Sequence, residues 1–260
     1  PRVCFTYDQS DIPGLLPVRR ADSHKGSYGK VIMITGSSGM AGACYLSARA
    51  AYAAGAGLVQ IYTSEDNRAV IQQLIPEAIV SCYSSYDREQ LTGLLKWADV
   101  VCIGCGLGRS EDSEKILLHT LKEADIPCIA DADGLNILSG HMEVLRQRQA
   151  PVIVTPHMKE MSRLTGESVA EIAENRIQAA GKFAEEYGAV CVLKDSRTVV
   201  AQDGHHTFLN LAGNNAMAKA GSGDVLAGVI TGLAAQGMTA FDSAALGVFL
   251  HACGGDEARG

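Results

Sequence analysis

The chain has 260 residues, of which 47% are hydrophobic and 20% charged, a balance that supports a packed core and excludes a disordered chain. The net charge is −7 and no dense run of Lys or Arg occurs, which argues against nucleic acid as a partner. Single basic residues and helix N-termini can still hold an anionic small molecule in an acidic protein.

Cysteine usage and hydropathy indicate the compartment. The eight cysteines are scattered, mostly within apolar runs, and no signal-peptide pattern leads the chain, so we expect free thiols in a cytoplasmic protein. The uncharged stretch 225–241 contains glycines and Gln236, which suits a buried helix better than a membrane span. We therefore expect no membrane partner.

In chain order, segment 1–25 shows no regular pattern, and β-rich runs then alternate with helical patterns. The predicted strands are 30–35, 58–63, 98–104, 127–131, 152–155 and 189–194, and the predicted helices are 41–54, 111–123, 169–187, 223–236 and 239–252. Asp203-Gly204 separates two further strands, 198–202 and 206–209, as a hairpin. This alternation predicts an α/β fold with a central, mostly parallel sheet, helices on both faces and an antiparallel edge hairpin. We expect one domain over residues 1–260, which could be a fragment of a longer chain.

The run 219–224 (Lys-Ala-Gly-Ser-Gly-Asp) opens an apolar helix. Free N–H groups at a helix start and the helix dipole favour a negative charge, so this run predicts an anion hole for a phosphoryl group. The residues of this hole are Ala220, Gly221, Ser222 and Gly223. Asp224, in the first turn, could accept the proton of a hydroxyl that attacks a terminal phosphate. The alternative is that Ser222 and Asp224 are ordinary capping residues.

Two more runs follow predicted strands. The run 194–198 (Lys-Asp-Ser-Arg-Thr) lies where ligands bind in open α/β sheets, and its Lys194 and Arg197 could contact a nucleotide phosphate. It could also be a solvated turn. The run 36–43 links the first strand to its helix through small residues that leave room for a bulky ligand, although its glycine spacing matches a dinucleotide fingerprint poorly.

Three shorter runs also follow strands. The glycines of 104–108 indicate either a close ligand approach or a tight turn, and Cys102 and Cys105 within or beside this strand read as structural cysteines. The run 131–136 offers Asp131 and Asp133, which could approach a metal-bound nucleotide, although Asp133 could instead cap a helix. His157 ends the third run, 155–157. Because the carboxyl ends of parallel strands converge on one sheet edge, these runs together predict a single ligand site.

These runs, joined by 23–30 and 54–59, occur in an order that resembles the ADP-dependent NAD(P)H-hydrate dehydratases of the ribokinase-like superfamily, over about 23–256. The resemblance implies that hydrated NADH and NADPH, (S)-NADHX and (S)-NADPHX, are returned to NADH and NADPH while ADP, or ATP, loses phosphate with the help of Mg²⁺. It implies that Ala43, Gly106, His157 and Asp224 bind the hydrated dinucleotide. It implies that the adenine nucleotide is bound by Lys194, Asp195, Ser196, Arg197, Thr198 and Gly223, and it assigns no metal ligand.

The resemblance has departures and further implications. The run 214–220 lacks the proline and some glycines of many relatives, which could alter loop flexibility or nucleotide preference. The family implies a homo-oligomer, commonly a tetramer, and fusion or functional pairing with an NAD(P)HX epimerase, whose domain we do not find in this sequence. The alternative function is a small-molecule kinase of the same superfamily that phosphorylates a vitamin alcohol.

Overall fold

The computed structural model describes residues 3–19 and 21–258, which form one ten-stranded sheet with helices packed on it. The strands are β1 Cys4–Phe5, β2 Lys30–Ile34, β3 Leu58–Ser64, β4 Ile79–Tyr83, β5 Val100–Ile103, β6 Cys128–Ala130, β7 Val152–Val154, β8 Val190–Leu193, β9 Val199–Ala201 and β10 Thr207–Leu209. The α-helices are α1 Ile12–Leu15, α2 Ala41–Ala53, α3 Arg68–Leu74, α4 Arg88–Trp97, α5 Glu111–Glu123, α6 Asp133–Leu138, α7 Glu143–Gln147, α8 Met158–Thr165, α9 Val169–Glu174, α10 Arg176–Tyr187, α11 Ser222–Ala235 and α12 Ala240–Glu257.

The strand order across the sheet is β1-β10-β9-β8-β7-β6-β5-β2-β3-β4. All pairings from β4 to β8 are parallel, and β9 runs antiparallel to both β8 and β10. The predicted mostly parallel sheet and its antiparallel hairpin toward one edge are therefore confirmed. The order reverses between β2 and β5, a switch point of the kind at which ligands bind in open α/β sheets. We call the place where the loops after these two strands meet the β2–β5 crevice.

Alternate strand residues point to opposite faces of the sheet, and helices cover both faces. In β2, Val31 and Met33 join a core with α2, α3, α11 and α12, whereas Ile32 and Ile34 join a second core with α4, α5, α8 and α10. The near-continuous apolar sequence of the parallel strands follows from this burial on both faces.

Helix α11 packs most extensively against α2. A Cβ atom at Gly228 would lie 2.1 Å from the carbonyl oxygen of Ser47, and one at Gly232 would lie 2.5 Å from that of Ala51. The two glycines and the alanine-rich sequence of α2 therefore allow close contact between the helix backbones. This contact fixes the position of the α11 N-terminus relative to the sheet.

Some elements differ from the prediction, and others were not predicted. The single predicted helix 169–187 is two helices, because Asn175 leaves the helical region (φ −134°, ψ 46°) between α9 and α10. Segment 1–25 is not irregular throughout, since it contains β1 and α1, and Lys25–Tyr28 begins a short 3-10 helix there. No sequence pattern predicted β4 or the helices α3, α4, α7 and α8, which are short or only partly apolar.

All eight cysteines are free thiols, and six of them are buried. Burial raises the pKa of the Cys44 thiol to about 11 and that of Cys128 to about 12, so both stay protonated near neutral pH. Among the described residues, we find no helix that combines the length and the hydrophobicity needed to cross a bilayer.

Candidate active site

The predicted site loops follow the carboxyl ends of β2, β5, β6, β7 and β8. Since these strands are parallel, their loops share one edge of the sheet, and the N-terminus of α11 begins beside them. The structure thus brings most of the predicted residues to one region, in two groups that flank Asp224.

The first group is the pair Ala43 and Gly106, which lie against each other at the β2–β5 crevice. A Cβ atom at Gly106 would lie 2.8 Å from the Cβ of Ala43 and 3.0 Å from that of Met40. Gly106 also has a positive φ of 60°, which disfavours a larger residue. Small residues are therefore required here, because a side chain at Gly106 would overlap Ala43 and Met40.

Backbone hydrogen bonds join the two loops of this crevice. The Ser37 N–H donates to the Gly106 carbonyl at 2.5 Å, and the Gly36 N–H donates to the Cys105 carbonyl at 2.9 Å. The buried Asn67 amide donates to the carbonyl groups of Gly36 and Ser37 at 3.2 and 3.0 Å. Sequence reasoning missed Asn67, which carries no local signal and reaches the loop across 30 residues.

The N-terminus of α11 has no side-chain cap. Its N-cap residue is Gly221, with φ 87°, and no side chain accepts a hydrogen bond from the first turn. The N-cap residue is thus neither Ser222 nor Asp224, and both lie in the first turn of the helix. Uncapped N–H groups and the helix dipole at this end can stabilise an anion.

A cavity of about 1020 Å³ opens beside this helix end, large enough for a ligand of nucleotide size. Among the predicted residues it is lined by His157, the five residues Lys194, Asp195, Ser196, Arg197 and Thr198, and by Ala220, Ser222 and Gly223. Ala43 and Gly106 do not line it. The nucleotide residues implied by the resemblance therefore share one cavity, separate from the Ala43–Gly106 crevice.

The turn 194–198 is held by specific contacts. The Arg176 guanidinium forms an ion pair with Asp195, and Arg197 donates to the Leu211 carbonyl at 2.8 Å. The Thr198 hydroxyl donates to the Asp195 carbonyl at 3.0 Å. Asp195, Ser196 and Arg197 are exposed, but these contacts make the turn an ordered wall of the cavity.

Lys194 differs from its neighbours because its charge is paired inside the protein. Its Nζ donates to Asp131 Oδ1 at 2.7 Å and lies 3.9 Å from Glu160 Oε2, and the side chains of Lys194 and Asp131 are 19% and 2% exposed. Burial opposes the charge of Lys194, but the carboxylates of Asp131 and Glu160 outweigh it and raise the pKa of Lys194. The ammonium is therefore charged.

Asp224 is half-buried near this pair. Burial, followed by the negative charge of Asp131, raises the pKa of the Asp224 carboxyl, while a hydrogen bond from Cys105 and the charge of Lys194 oppose the rise. A carboxylate with a raised pKa is a stronger base, as proton abstraction from a hydroxyl requires.

His157 caps α8 and lies beside the nucleotide-sized cavity rather than with Ala43 and Gly106. Its Nδ1 accepts hydrogen bonds from the N–H groups of Lys159 and Glu160 at 3.1 and 3.2 Å, so the ring proton resides on Nε2. Burial and the charge of Lys194 lower the pKa of His157. The residue is therefore both a structural cap and a neutral donor at the cavity wall.

The alternative in which Asp133 caps α6 is wrong. The N-cap residue is Ala132, which has the only positive φ (51°) of the described non-glycine residues. The Asp133 carboxylate instead accepts a hydrogen bond from the Gly108 N–H at 2.9 Å. It therefore joins the β6 loop to the β5 loop, and the strained backbone at Ala132 lies at the site edge, as is common at functional sites.

Sequence reasoning also missed several cavity residues, among them Asn210 and His251, whereas Met217 belongs to the run 214–220 that departs from many relatives. His251 lies in α12, and its Nε2 is 3.4 Å from the Ser222 hydroxyl. Burial lowers the pKa of His251, so it is neutral near physiological pH. Its position inside an apolar helical pattern gave no signal of a ligand contact.

The side chains do not fit a magnesium site made by protein alone. Within residues 3–19 and 21–258, no three His, Cys, Asp or Glu side chains converge as a metal-binding group. Asp131 is paired with Lys194, and Asp133 accepts from Gly108. Mg²⁺ commonly binds through one or two carboxylates, water and substrate phosphates, so the Mg²⁺ implied by the resemblance requires a ligand that carries it.

Comparison with known proteins identifies relatives along most of the chain. Residues 31–259 match the family model of NAD(P)H-hydrate dehydratase. An ADP-dependent (S)-NAD(P)H-hydrate dehydratase of Neisseria meningitidis is 36% identical over 249 residues, which cover 94% of this chain and 82% of that protein. A bifunctional NAD(P)H-hydrate repair enzyme of Moorella thermoacetica is 41% identical over 251 residues, 94% of this chain and 47% of that protein. The chain thus spans about half the length of the bifunctional relatives it matches.

A solved structure has the same fold. The ADP/ATP-dependent NAD(P)H-hydrate dehydratase of Bacillus subtilis, co-crystallized with ATP and Mg²⁺, superposes with a TM-score of 0.85 at 33% identity. The superposition covers 96% of this chain and 88% of that chain. The ribokinase-like fold expected from the sequence is confirmed.

Proposed function

Because the chain belongs to the NAD(P)H-hydrate dehydratase family, we propose that it converts (S)-NADHX and (S)-NADPHX to NADH and NADPH while ADP is cleaved to AMP and phosphate. The observation that carries this proposal is the position of Asp224. It lies in the first turn of an uncapped helix, near the nucleotide-sized cavity. Ala43 and Gly106, which pack against each other after β2 and β5, mark the side of the site proposed for the hydrated dinucleotide.

The geometry supports a phosphoryl-transfer route. Asp224 accepts the proton of the ring hydroxyl of the hydrate. At the same time the hydroxyl oxygen bonds to the terminal phosphorus of ADP, and the phosphoanhydride bond breaks to release AMP. The ring nitrogen then supplies the electron pair that expels phosphate from carbon, and loss of a ring proton restores the dihydropyridine. The N–H groups of Ala220, Gly221 and Gly223 stabilise the charge on the transferred phosphoryl group, whereas the Ser222 N–H donates to the Lys219 carbonyl at 3.3 Å.

The other predicted residues have supporting roles in this proposal. The turn of Lys194, Asp195, Ser196, Arg197 and Thr198 holds the adenine nucleotide with Gly223, and Ala43, Gly106 and His157 contact the hydrated dinucleotide. Mg²⁺, when bound, would neutralise charge on the nucleotide phosphates, and the described residues contain no group of three metal-ligating side chains. The ATP and Mg²⁺ named for the Bacillus subtilis structure support this assignment.

The proposal extends to the assembly and the compartment. We propose a single ribokinase-like domain that works in the cytoplasm and is fused to, or paired with, an NAD(P)HX epimerase, as the bifunctional name of its relatives suggests. We also propose a homo-oligomer, specifically a tetramer. Exposed apolar side chains at the β4 edge, Val70, Leu74 and Ile79, offer a surface for self-association, and light scattering after size exclusion tests the mass.

The function is tested by incubating the protein with hydrated NADH, Mg²⁺ and either ADP or ATP. We expect the near-ultraviolet absorbance of NADH to rise with one nucleotide, in step with the release of phosphate. A stable phosphorylated product of a vitamin alcohol, with no rise in absorbance, would instead establish the kinase alternative.

A further inference from the structure

A buried ion pair lies directly beneath the phosphoryl-binding end of α11. Asp131 follows β6 and Lys194 follows β8, on either side of β7, and the two side chains meet at 2.7 Å. The Asp131 side chain is 2% exposed. A carboxylate this deeply buried stays ionised only if a cationic partner stabilises it, because an isolated buried charge is strongly unfavourable.

The pair contacts α11 immediately before Asp224. A Cβ atom at Gly223 would lie 3.5 Å from Lys194 Nζ and 3.6 Å from Asp131 Oδ2. Both charges therefore lie at ordinary contact distance from the residue that precedes the proposed base. The backbone of Lys194 is also fixed to the loop after β7, since its backbone N–H donates to the Pro156 carbonyl at 2.8 Å.

We propose that Asp131 is a positioning residue of this site: it holds the Lys194 ammonium beneath the first turn of α11, and the pair sets the charge state of Asp224. The inference rests on the proposed function, in which Asp224 must be ionised to accept a proton. It gives Asp131 a role through Lys194 and Asp224, without contact to the reacting atoms.

Charges near Asp224 act in opposite directions. Asp131 and Asp133 favour its neutral form, whereas Lys194 and the Cys105 thiol favour its ionised form. These four groups come from the segments after β5, β6 and β8, and they are the neighbours with the largest effects on the pKa of Asp224. Removal of Asp131 should therefore ease ionisation of Asp224, and removal of Lys194 should hinder it.

The test is a titration of aspartate side chains in the whole protein, labelled with ¹³C at the carboxyl carbon and followed by NMR. The Asp224 signal is assigned by its loss in Asp224→Asn. Its midpoint is then compared in the unmodified protein, Asp131→Asn, Lys194→Met and the double variant. Asp203→Asn is the matched control, because Asp203 is exposed in the β9–β10 turn.

We expect the Asp224 midpoint to move to lower pH in Asp131→Asn, to higher pH in Lys194→Met, and to stay unchanged in Asp203→Asn. If Asp131→Asn does not fold because Lys194 loses its nearer carboxylate and keeps only Glu160 at 3.9 Å, the double variant decides, since its midpoint should lie below that of Lys194→Met. Equal midpoints in folded variants with and without Asp131 would overturn the inference.

Turnover distinguishes the two proposals. If the unmodified protein dehydrates hydrated NADH, the acidic limb of its pH profile should shift in the same directions as the NMR midpoints. If the protein shows no turnover but the NMR midpoints still shift as expected, the proposed function is refuted and the electrostatic role of Asp131 is supported.

Discussion

Alanine at position 228 should separate α11 from α2. The added Cβ would lie 2.1 Å from the Ser47 carbonyl oxygen and 2.7 Å from the Ala50 Cβ, far inside the roughly 3.5–4.0 Å of a normal carbon contact. Overpacking lowers the free energy of unfolding by about 1–3 kcal/mol, and the higher helix propensity of alanine raises it by about 1 kcal/mol. Because a backbone oxygen cannot rotate away as a side chain can, we expect the upper end, a net loss of about 2 kcal/mol in the free energy of unfolding.

Gly93→Ala is the matched control, because Gly93 is exposed within α4 and no atom lies within 4 Å of its added Cβ. It should gain about 0.5–1 kcal/mol from helix propensity alone. Urea unfolding of both variants measures the difference, which we expect to be about 3 kcal/mol. A Gly228→Ala protein as stable as the control would refute the close-packing argument.

Other predictions concern the site directly. Asp224→Asn should lower turnover by about 10²–10⁴-fold while calorimetry shows ADP affinity retained; near-normal turnover would contradict its role as base. Since burial and then Asp131 raise the pKa of Asp224, turnover should fall as the pH drops through that raised value, and a profile flat into the range of an ordinary aspartate would argue against it. Gly106→Ala should raise KM for the hydrate and leave KM for ADP unchanged, because its Cβ would displace Ala43 and Met40 and none of the residues that line the nucleotide-sized cavity. Arg176→Gln releases Asp195 and should raise KM for ADP several-fold, with little change for the hydrate.

The sequence predicted the central sheet well because its strands are apolar on both faces. Strands β2, β3 and β5 to β10 all appear within two residues of their predicted bounds. The edge strand β4 escaped prediction, since its first residue, Ile79, is exposed and its neighbours are only partly buried. The break at Asn175 was also missed, because hydrophobic periodicity continues across it and the change lies in one backbone conformation.

Loop motifs predicted where the site lies, but not how its side chains pair. The hydrogen bond from Lys194 to Asp131 spans 63 positions in sequence, and no local pattern announces it. The same limit applies to His251, which reaches the cavity from the last helix. Local motifs indicate backbone geometry at strand ends, whereas pairings between loops depend on the order of strands in the sheet.

The contact between α11 and α2 also has a consequence for biosynthesis. Helix α2 is complete at Ala53, but the helix that covers it begins only at Ser222. During translation, the alanine-rich face of α2 therefore stays without its native partner until more than half of the chain has been synthesised. Such late long-range contacts favour intermediates with exposed apolar surface. The same helix carries Asp224 in its first turn, so a nascent chain gains its proposed base only when this part of the core is closed.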